Sequence, residues 1–190
     1  TDNEIIVSAK ITHRTQNGFV GGWNFLNNLV DIDACSRMYS MMYVDCHSSN
    51  PSNIPIAGAF DFEAAFPSVI HEWIWMVLQH RKMPLHFIRL FRSVHKNARA
   101  IYTQKGNTNT LINLFSGVLQ GCPASAFLFN NAPDPFLTNF DNVLRANKAG
   151  IVRACADDIG ISLRRLKYLQ LTYPIYCNCN DLRWTCFETH

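Results

Sequence analysis

The chain has 190 residues and 48% hydrophobic content, enough to bury a core as one domain, or as a domain and a fragment. Lys and Arg number 17 against 14 Asp and Glu, a net charge of +3 that permits nucleic-acid contact without demanding it, since a phosphate-binding face needs clustering more than totals. No apolar run approaches the roughly 18 residues of a membrane span, and Thr1-Asp2-Asn3-Glu4 lacks a basic stretch followed by an apolar one, so neither an anchor nor a secretion signal is expected.

In chain order, the first readable element is the glycine-rich loop Thr15-Gln16-Asn17-Gly18-Phe19-Val20-Gly21-Gly22-Trp23. A helical pattern with Phe25, Leu26, Leu29, Ile32 and Asp33 follows it. Residues 47–55 form a polar connector before a short apolar strand over 56–60, which ends at Asp61. Pro67 and Ser68 open a helix patterned on Val69, Ile70, Trp73, Ile74, Val77 and Leu78, expected to stop before Pro84. A second helix is predicted over residues 85–98. Along it Arg89, Arg92, Lys96 and Arg99 recur at intervals of three, four and three on one face, with Phe87, Phe91, Val94 and Ala98 opposite. Such a stripe is either a solvated face or a phosphate track.

Residues 100–115 read as a hairpin turning at Lys105-Gly106-Asn107. The hairpin leads to Ser116-Gly117-Val118-Leu119-Gln120-Gly121-Cys122-Pro123, whose glycines allow close backbone approach, and then to a long helix from Pro123 and Ser125. Pro133 and Pro135 should bend or break that helix. Next come an apolar run with Ile151, Val152, Ala154 and Ala156, the pair Asp157-Asp158, and an alternating run with Ile159, Ile161 and Leu163: strand, two-residue turn, strand. Arg164-Arg165-Leu166-Lys167 then leads a helix through Tyr168, Leu169 and Leu171 toward Pro174.

The seven cysteines are an odd number scattered without a framework, which favours reduced thiols inside a cell. Cys177, Cys179, Cys186 and His190 could in principle make a Cys₃His zinc site, although a one-residue Cys spacer is unlike the usual two to four. Two adjacent acids at a hairpin tip repel each other unless a cation or proton intervenes, which suggests a divalent metal with a third ligand from elsewhere; Asp61 is the candidate.

Taken together, Ala59-Phe60-Asp61-Phe62-Glu63-Ala64-Ala65-Phe66-Pro67, the Ser116 to Pro123 stretch and Ala154-Cys155-Ala156-Asp157-Asp158 resemble motifs A, B and C of the reverse transcriptases, in order and spacing. They are most similar to the LINE-like (non-LTR retrotransposon) group, whose Gln-x-Gly-Phe fingers motif the Gln16 loop also resembles. The likeness implies that Asp61, Asp157 and Asp158 are catalytic carboxylates and metal ligands, Asp61 and Asp157 bridging both ions, with the backbone carbonyl of Phe62 helping to hold the second. It implies that Phe66 is the aromatic gate against a sugar 2′-hydroxyl and that Gln120 and Gly121 contact the nucleotide. Phe60 and Phe62 also read as core aromatics. Departures from the family pattern are Trp23 in place of an arginine, Cys155 in place of an aromatic residue, the second proline Pro133, and Glu188 near the lysine of a degenerate motif D spanning Asn180 to Thr189.

The expected fold is α+β: a palm made of an antiparallel sheet backed by helices, over residues 56–190, with a partial fingers region over 1–55. The expected function is RNA-directed DNA polymerisation by a retroelement enzyme, a nucleotidyl transfer using two Mg²⁺ ions (Mn²⁺ possible). Its partners would be an RNA template, a DNA primer and deoxynucleoside triphosphates, with no membrane. Further fingers and a thumb, with or without an endonuclease, would belong to a longer polyprotein acting in the nucleus or cytoplasm. The alternatives are an impaired remnant that only binds nucleic acid, and an unrelated metal-dependent phosphotransferase.

Overall fold

Period-two burial builds the sheet at the centre of the molecule. Strand β4 (Gly150–Cys155) sends Val152 and Ala154 into the core, and β5 (Asp158–Leu163) sends Ile159, Ile161 and Leu163 to the same face. With β1 (Ile56–Phe60) they form an antiparallel sheet of order β1-β5-β4, in which Phe60 pairs with Ile159 and Cys155 with Asp158. The computed structural model describes residues 12–19, 22, 24–45, 49–62, 64–119 and 121–181. Among them no helix is long and apolar enough to cross a membrane.

The other face of the sheet is covered by α1 (Phe25–Asp45). That face offers Gly160, Ser162 and Arg153, so α1 meets it with a mixed, mainly polar row. Ile32 packs over Gly160, the Ser36 and Ser162 hydroxyls are 2.9 Å apart, and Asp31 takes the Arg153 guanidinium at 2.7 Å. The expected helix is present, and of its pattern residues Ile32 meets the sheet whereas Phe25, Leu26 and Leu29 point outward, 49%, 55% and 53% exposed.

After β1 the chain makes a single turn, α2 (Ala65–Ser68), and then α3 (His71–His80). Val69 and Ile70, expected in one helix with them, are extended: Ile70 bridges Ser116, and the Gly117 amide donates to the Val69 carbonyl at 2.8 Å. Those bonds to motif B outweigh helix continuation. Helix α4 (Leu85–His95) ends three residues early, where Asn97 takes a left-handed φ of 59°. It buries Ile88 while Phe87 and Val94 are exposed, contrary to the face expected of them. The hairpin β2 (Arg99–Gln104) and β3 (Asn107–Asn113) follows, turning through left-handed Lys105 and Gly106.

The long motif B helix is broken at the prolines, as expected, into α5 (Pro123–Asn131) and α6 (Asp134–Ala146). Leu128 and Phe129 on α5, Leu137, Phe140 and Leu144 on α6, and Ile74 and Leu78 on α3 fill the core behind the sheet. Helix α7 (Leu169–Asp181) runs on through Pro174, with Thr172 and Ile175 buried on either side of the proline.

Candidate functional site

Continuing the β1–β5 register one residue past the Phe60–Ile159 pair sets Asp61 opposite Asp158. On its other side Asp158 pairs with Cys155 and is linked to Asp157 through the turn. Three carboxylates therefore share one end of the sheet. Burial, then the charge of Asp157, then that of Asp61, push the Asp158 carboxyl above its usual range, and burial with the same two hairpin acids raises the Cys155 thiol. The turn itself sits one residue earlier than expected, at Ala156 and Asp157, with Ala156 left-handed at φ 56° and Asp158 already in β5. An all-oxygen donor set of this kind suits Mg²⁺ or Mn²⁺ rather than zinc. Among the described residues, no three His, Cys, Asp or Glu side chains are drawn together as a metal-holding group.

The segment carrying Asp61 is held from α7. Tyr176 stacks 5.7 Å from Phe62 at 12° and lies 4.6 Å from Phe60, and its hydroxyl donates to the Asp61 carbonyl at 3.4 Å. Phe62 is buried in the core, which agrees with a packing role for its ring.

The Gln16 loop grips the acidic hairpin. Gln16 is fully buried; its Oε1 accepts from the Gly18 and Ala156 amides, both at 2.8 Å, and its Nε2 donates to the Ala156 carbonyl at 3.1 Å. The Ala154 amide donates to the Thr15 carbonyl at 2.7 Å, while the Ala154 carbonyl accepts from the Asn17 amide and from Asn28 Nδ2, each at 2.8 Å. Gly18 lies so close that a Cβ there would stand 2.2 Å from the Ala156 nitrogen. The loop is fixed in turn by α6: the His13 amide donates to buried Asp134, which pairs with Arg81, and Arg14 pairs with buried Asp141 at 2.7 Å.

Phe66 is half-buried. Its ring lies on that of Phe129 and meets Phe19 edge-on at 6.2 Å, and its carbonyl accepts from the Val118 amide at 3.0 Å, joining motif A to motif B. Gly117 at φ 93° backs onto Pro67, where a Cβ would come 3.0 Å from the carbonyl oxygen. Gly121, at φ 85°, faces open space. Gln120 lies outside the described residues, as do Trp23, Glu63, Cys186, Glu188 and His190.

Arg89, Arg92, Lys96 and Arg99 line one groove with His71, Glu72, Trp75 and His95, some 950 Å³ in volume. The expected grouping holds, but a helical face is not its cause: Lys96 and Arg99 lie beyond the end of α4, Arg99 in β2. Arg92 is engaged with Glu72 at 3.0 Å. Burial lowers the pKa of His71, whose Nε2 stands 2.7 Å from the Gly117 carbonyl.

Sequence reasoning singled out Asp61, Asp157, Asp158, Phe66 and the Gln16 loop, and the structure places the three acids at one end of the sheet with the Gln16 loop bonded to their hairpin. It gave no signal for Phe129 and Tyr176, whose contacts with Phe66 and with the Asp61 segment are long-range and leave no local pattern.

No family model matches the chain, and no curated protein sequence matches it. Among solved structures it is similar to an apo telomerase from Candida tropicalis truncated from its C-terminal domain, at 11% identity and a TM-score of 0.60 over 94% of this chain. The chain spans 35% of the length of that telomerase chain. The α+β architecture is thus similar to the fold of part of that telomerase chain.

Proposed function

We propose that the chain is the catalytic part of an RNA-directed DNA polymerase of a LINE-like retroelement, with residues 1–55 as part of its fingers and 56–190 as its palm. The observation that supports this reading is the β1–β5 register, whose last pair, Phe60 with Ile159, brings Asp61 and Asp158 to the same end of the sheet, one residue from Asp157. Asp61, Asp157, Asp158 and the Phe62 carbonyl would hold Mg²⁺, or Mn²⁺ in its place, which when bound activates a primer 3′-hydroxyl and stabilises leaving pyrophosphate. Phe66 would exclude ribose at the incoming nucleotide, Gln120 and Gly121 would border it, and the Arg89, Arg92, Lys96 and Arg99 groove would take nucleic-acid phosphates. The partners are an RNA template, a DNA primer and deoxynucleoside triphosphates.

A second reading, a catalytically impaired remnant that binds nucleic acid, is favoured by the absence of a convergent metal group among the described residues and by Glu188 and Trp23. Primer extension on an RNA template with Mg²⁺, using this chain joined to fingers and thumb segments, separates the two. Extension abolished by Asp157→Asn supports the polymerase; binding without extension supports the remnant.

A further inference from the structure

We propose that Gln16 is a positioning residue for the acidic turn, holding Ala156 so that Asp157 and Asp158 present their carboxylates to a divalent cation together with Asp61; this rests on the metal-dependent reading above. Two forces act to open that turn. Ala156 has a left-handed φ of 56°, which a residue with a Cβ adopts unfavourably. The carboxylates of Asp157 and Asp158, adjacent in the chain at this turn, also repel. Among the described residues the strand leading into the turn is an edge strand, with no neighbouring strand on its outer side.

Gln16 supplies that brace from a position 140 residues away. One amide group takes both backbone polar atoms of Ala156, and its oxygen accepts a second time from Gly18, using both lone pairs. The Thr15 and Asn17 backbones meanwhile bond Ala154, so that Gln16 forms a parallel bridge to the free edge of β4. A side chain kept only for packing would not need both hydrogen-bonding ends on the one residue that precedes the acids. Asn28 serves as the contrast: it is also buried and bonds the Ala154 carbonyl, but it does not touch the turn.

The test is Mn²⁺ binding, followed by the paramagnetic signal of the free ion, on the unaltered chain and on Gln16→Met, Asn28→Ala and Asp157→Asn. Gln16→Met keeps the volume and removes the three bonds. It is expected to raise the half-saturating Mn²⁺ concentration about tenfold or more, the usual cost of losing a group that orients metal ligands. Asn28→Ala should lower the melting temperature yet leave Mn²⁺ half-saturation within about twofold. In the unaltered chain the Ala156 and Gly18 amides should exchange with deuterium as slowly as those of β5, a result that does not depend on any variant folding. A folded Gln16→Met chain with unchanged Mn²⁺ half-saturation overturns the role of Gln16 alone, as does an unprotected Ala156 amide. An unaltered chain that takes up no Mn²⁺ while Ala156 stays protected overturns the metal reading, and with it the purpose assigned to the clamp.

Discussion

The rings of Phe66 and Phe129 lie parallel, 4.4 Å apart and within 5°, so the helix after motif A and the helix of motif B meet through one aromatic pair. Phe129 is buried and Phe66 half-buried, which makes Phe129 the anvil that fixes the position of the Phe66 ring. Phe129→Leu keeps most of the volume and removes the stack. We expect it to cost about 1–2 kcal/mol in urea unfolding, of which about 1 kcal/mol vanishes when Phe66 is already Ala. If Phe66 gates the sugar, Phe129→Leu should also raise ribonucleotide incorporation without touching the nucleotide. Unchanged discrimination in Phe66→Ala would remove the gate from the mechanism.

The basic groove gives a salt-dependence prediction. Arg92 already has Glu72 as a partner, whereas no comparable acid pairing is seen for Lys96 among the described residues. Binding of an RNA–DNA duplex, measured over a range of NaCl concentrations, should therefore lose about one unit of log–log slope in Lys96→Gln, and visibly less in Arg92→Gln. Equal slopes in both variants and the unaltered chain would reduce the groove to a solvated surface.

Asp134 is almost fully buried and is satisfied by Arg81, the His13 amide and, at 3.5 Å, the Thr138 hydroxyl. Arg81→Met strands a buried carboxylate, and about 3 kcal/mol of stability should go with it. Replacing both residues, Arg81→Met with Asp134→Leu, should restore part of that loss, because two apolar neighbours need no counter-charge. Denaturation midpoints of the two variants decide the matter: a double variant less stable than Arg81→Met refutes the argument.

Much of the sheet and the order of the motifs was legible because alternation and turn chemistry are local. The Ile151 to Leu163 hairpin, the break at Pro133 and the Lys105-Gly106 turn follow from a few adjacent residues. The faces of α1 and α4 were not legible. The pattern of Phe25, Leu26, Leu29 and Ile32 named a helix but no face: Ile32 packs over Gly160, while the sheet surface beneath α1 also carries Ser162 and Arg153 and is met by Ser36 and Asp31. Similarly, Lys96 and Arg99 reach the groove because the chain turns at Asn97, not because a helix continues. At the site, the three acids were visible as motifs, whereas the grip of Gln16 on Ala156 depends on a pairing between distant segments that no spacing rule encodes.

Gly117→Ala tests the joint between motifs A and B. The backbone there is left-handed, and the new Cβ would press on the Pro67 carbonyl at 3.0 Å, adding contact strain to a conformational penalty of about 1–2 kcal/mol. A total near 2 kcal/mol is expected in urea unfolding. The same change at Gly121, left-handed but open, should incur the conformational penalty alone. Comparing the two separates strain in the backbone from crowding; equal losses would show that Pro67 yields freely.

Stability should fall on mild acidification, and two histidines supply the reason. His13 and His71 both have pKa values lowered from 6.5, chiefly by burial, so between the lowered value and 6.5 the unfolded chain binds more protons than the folded one. Their contribution is therefore complete above about pH 6.5 and is lost as pH falls through that window, by no more than about 1.4 kcal/mol per pH unit for each group. Asp158 works in the opposite sense. Its pKa is raised from 3.8, so the folded chain holds the extra proton, and stability declines as pH rises from 3.8 through the raised value. Because Asp158 is exposed, screening keeps that effect under about 0.5 kcal/mol. Urea midpoints between pH 3 and 8 should show His71→Gln with a shallower loss below pH 6.5, and Asp158→Asn slightly more stable than the unaltered chain at pH 7 but not at pH 3. A His71→Gln curve parallel to the original across that window would mean that the imidazole beside the Gly117 carbonyl is not proton-linked to folding.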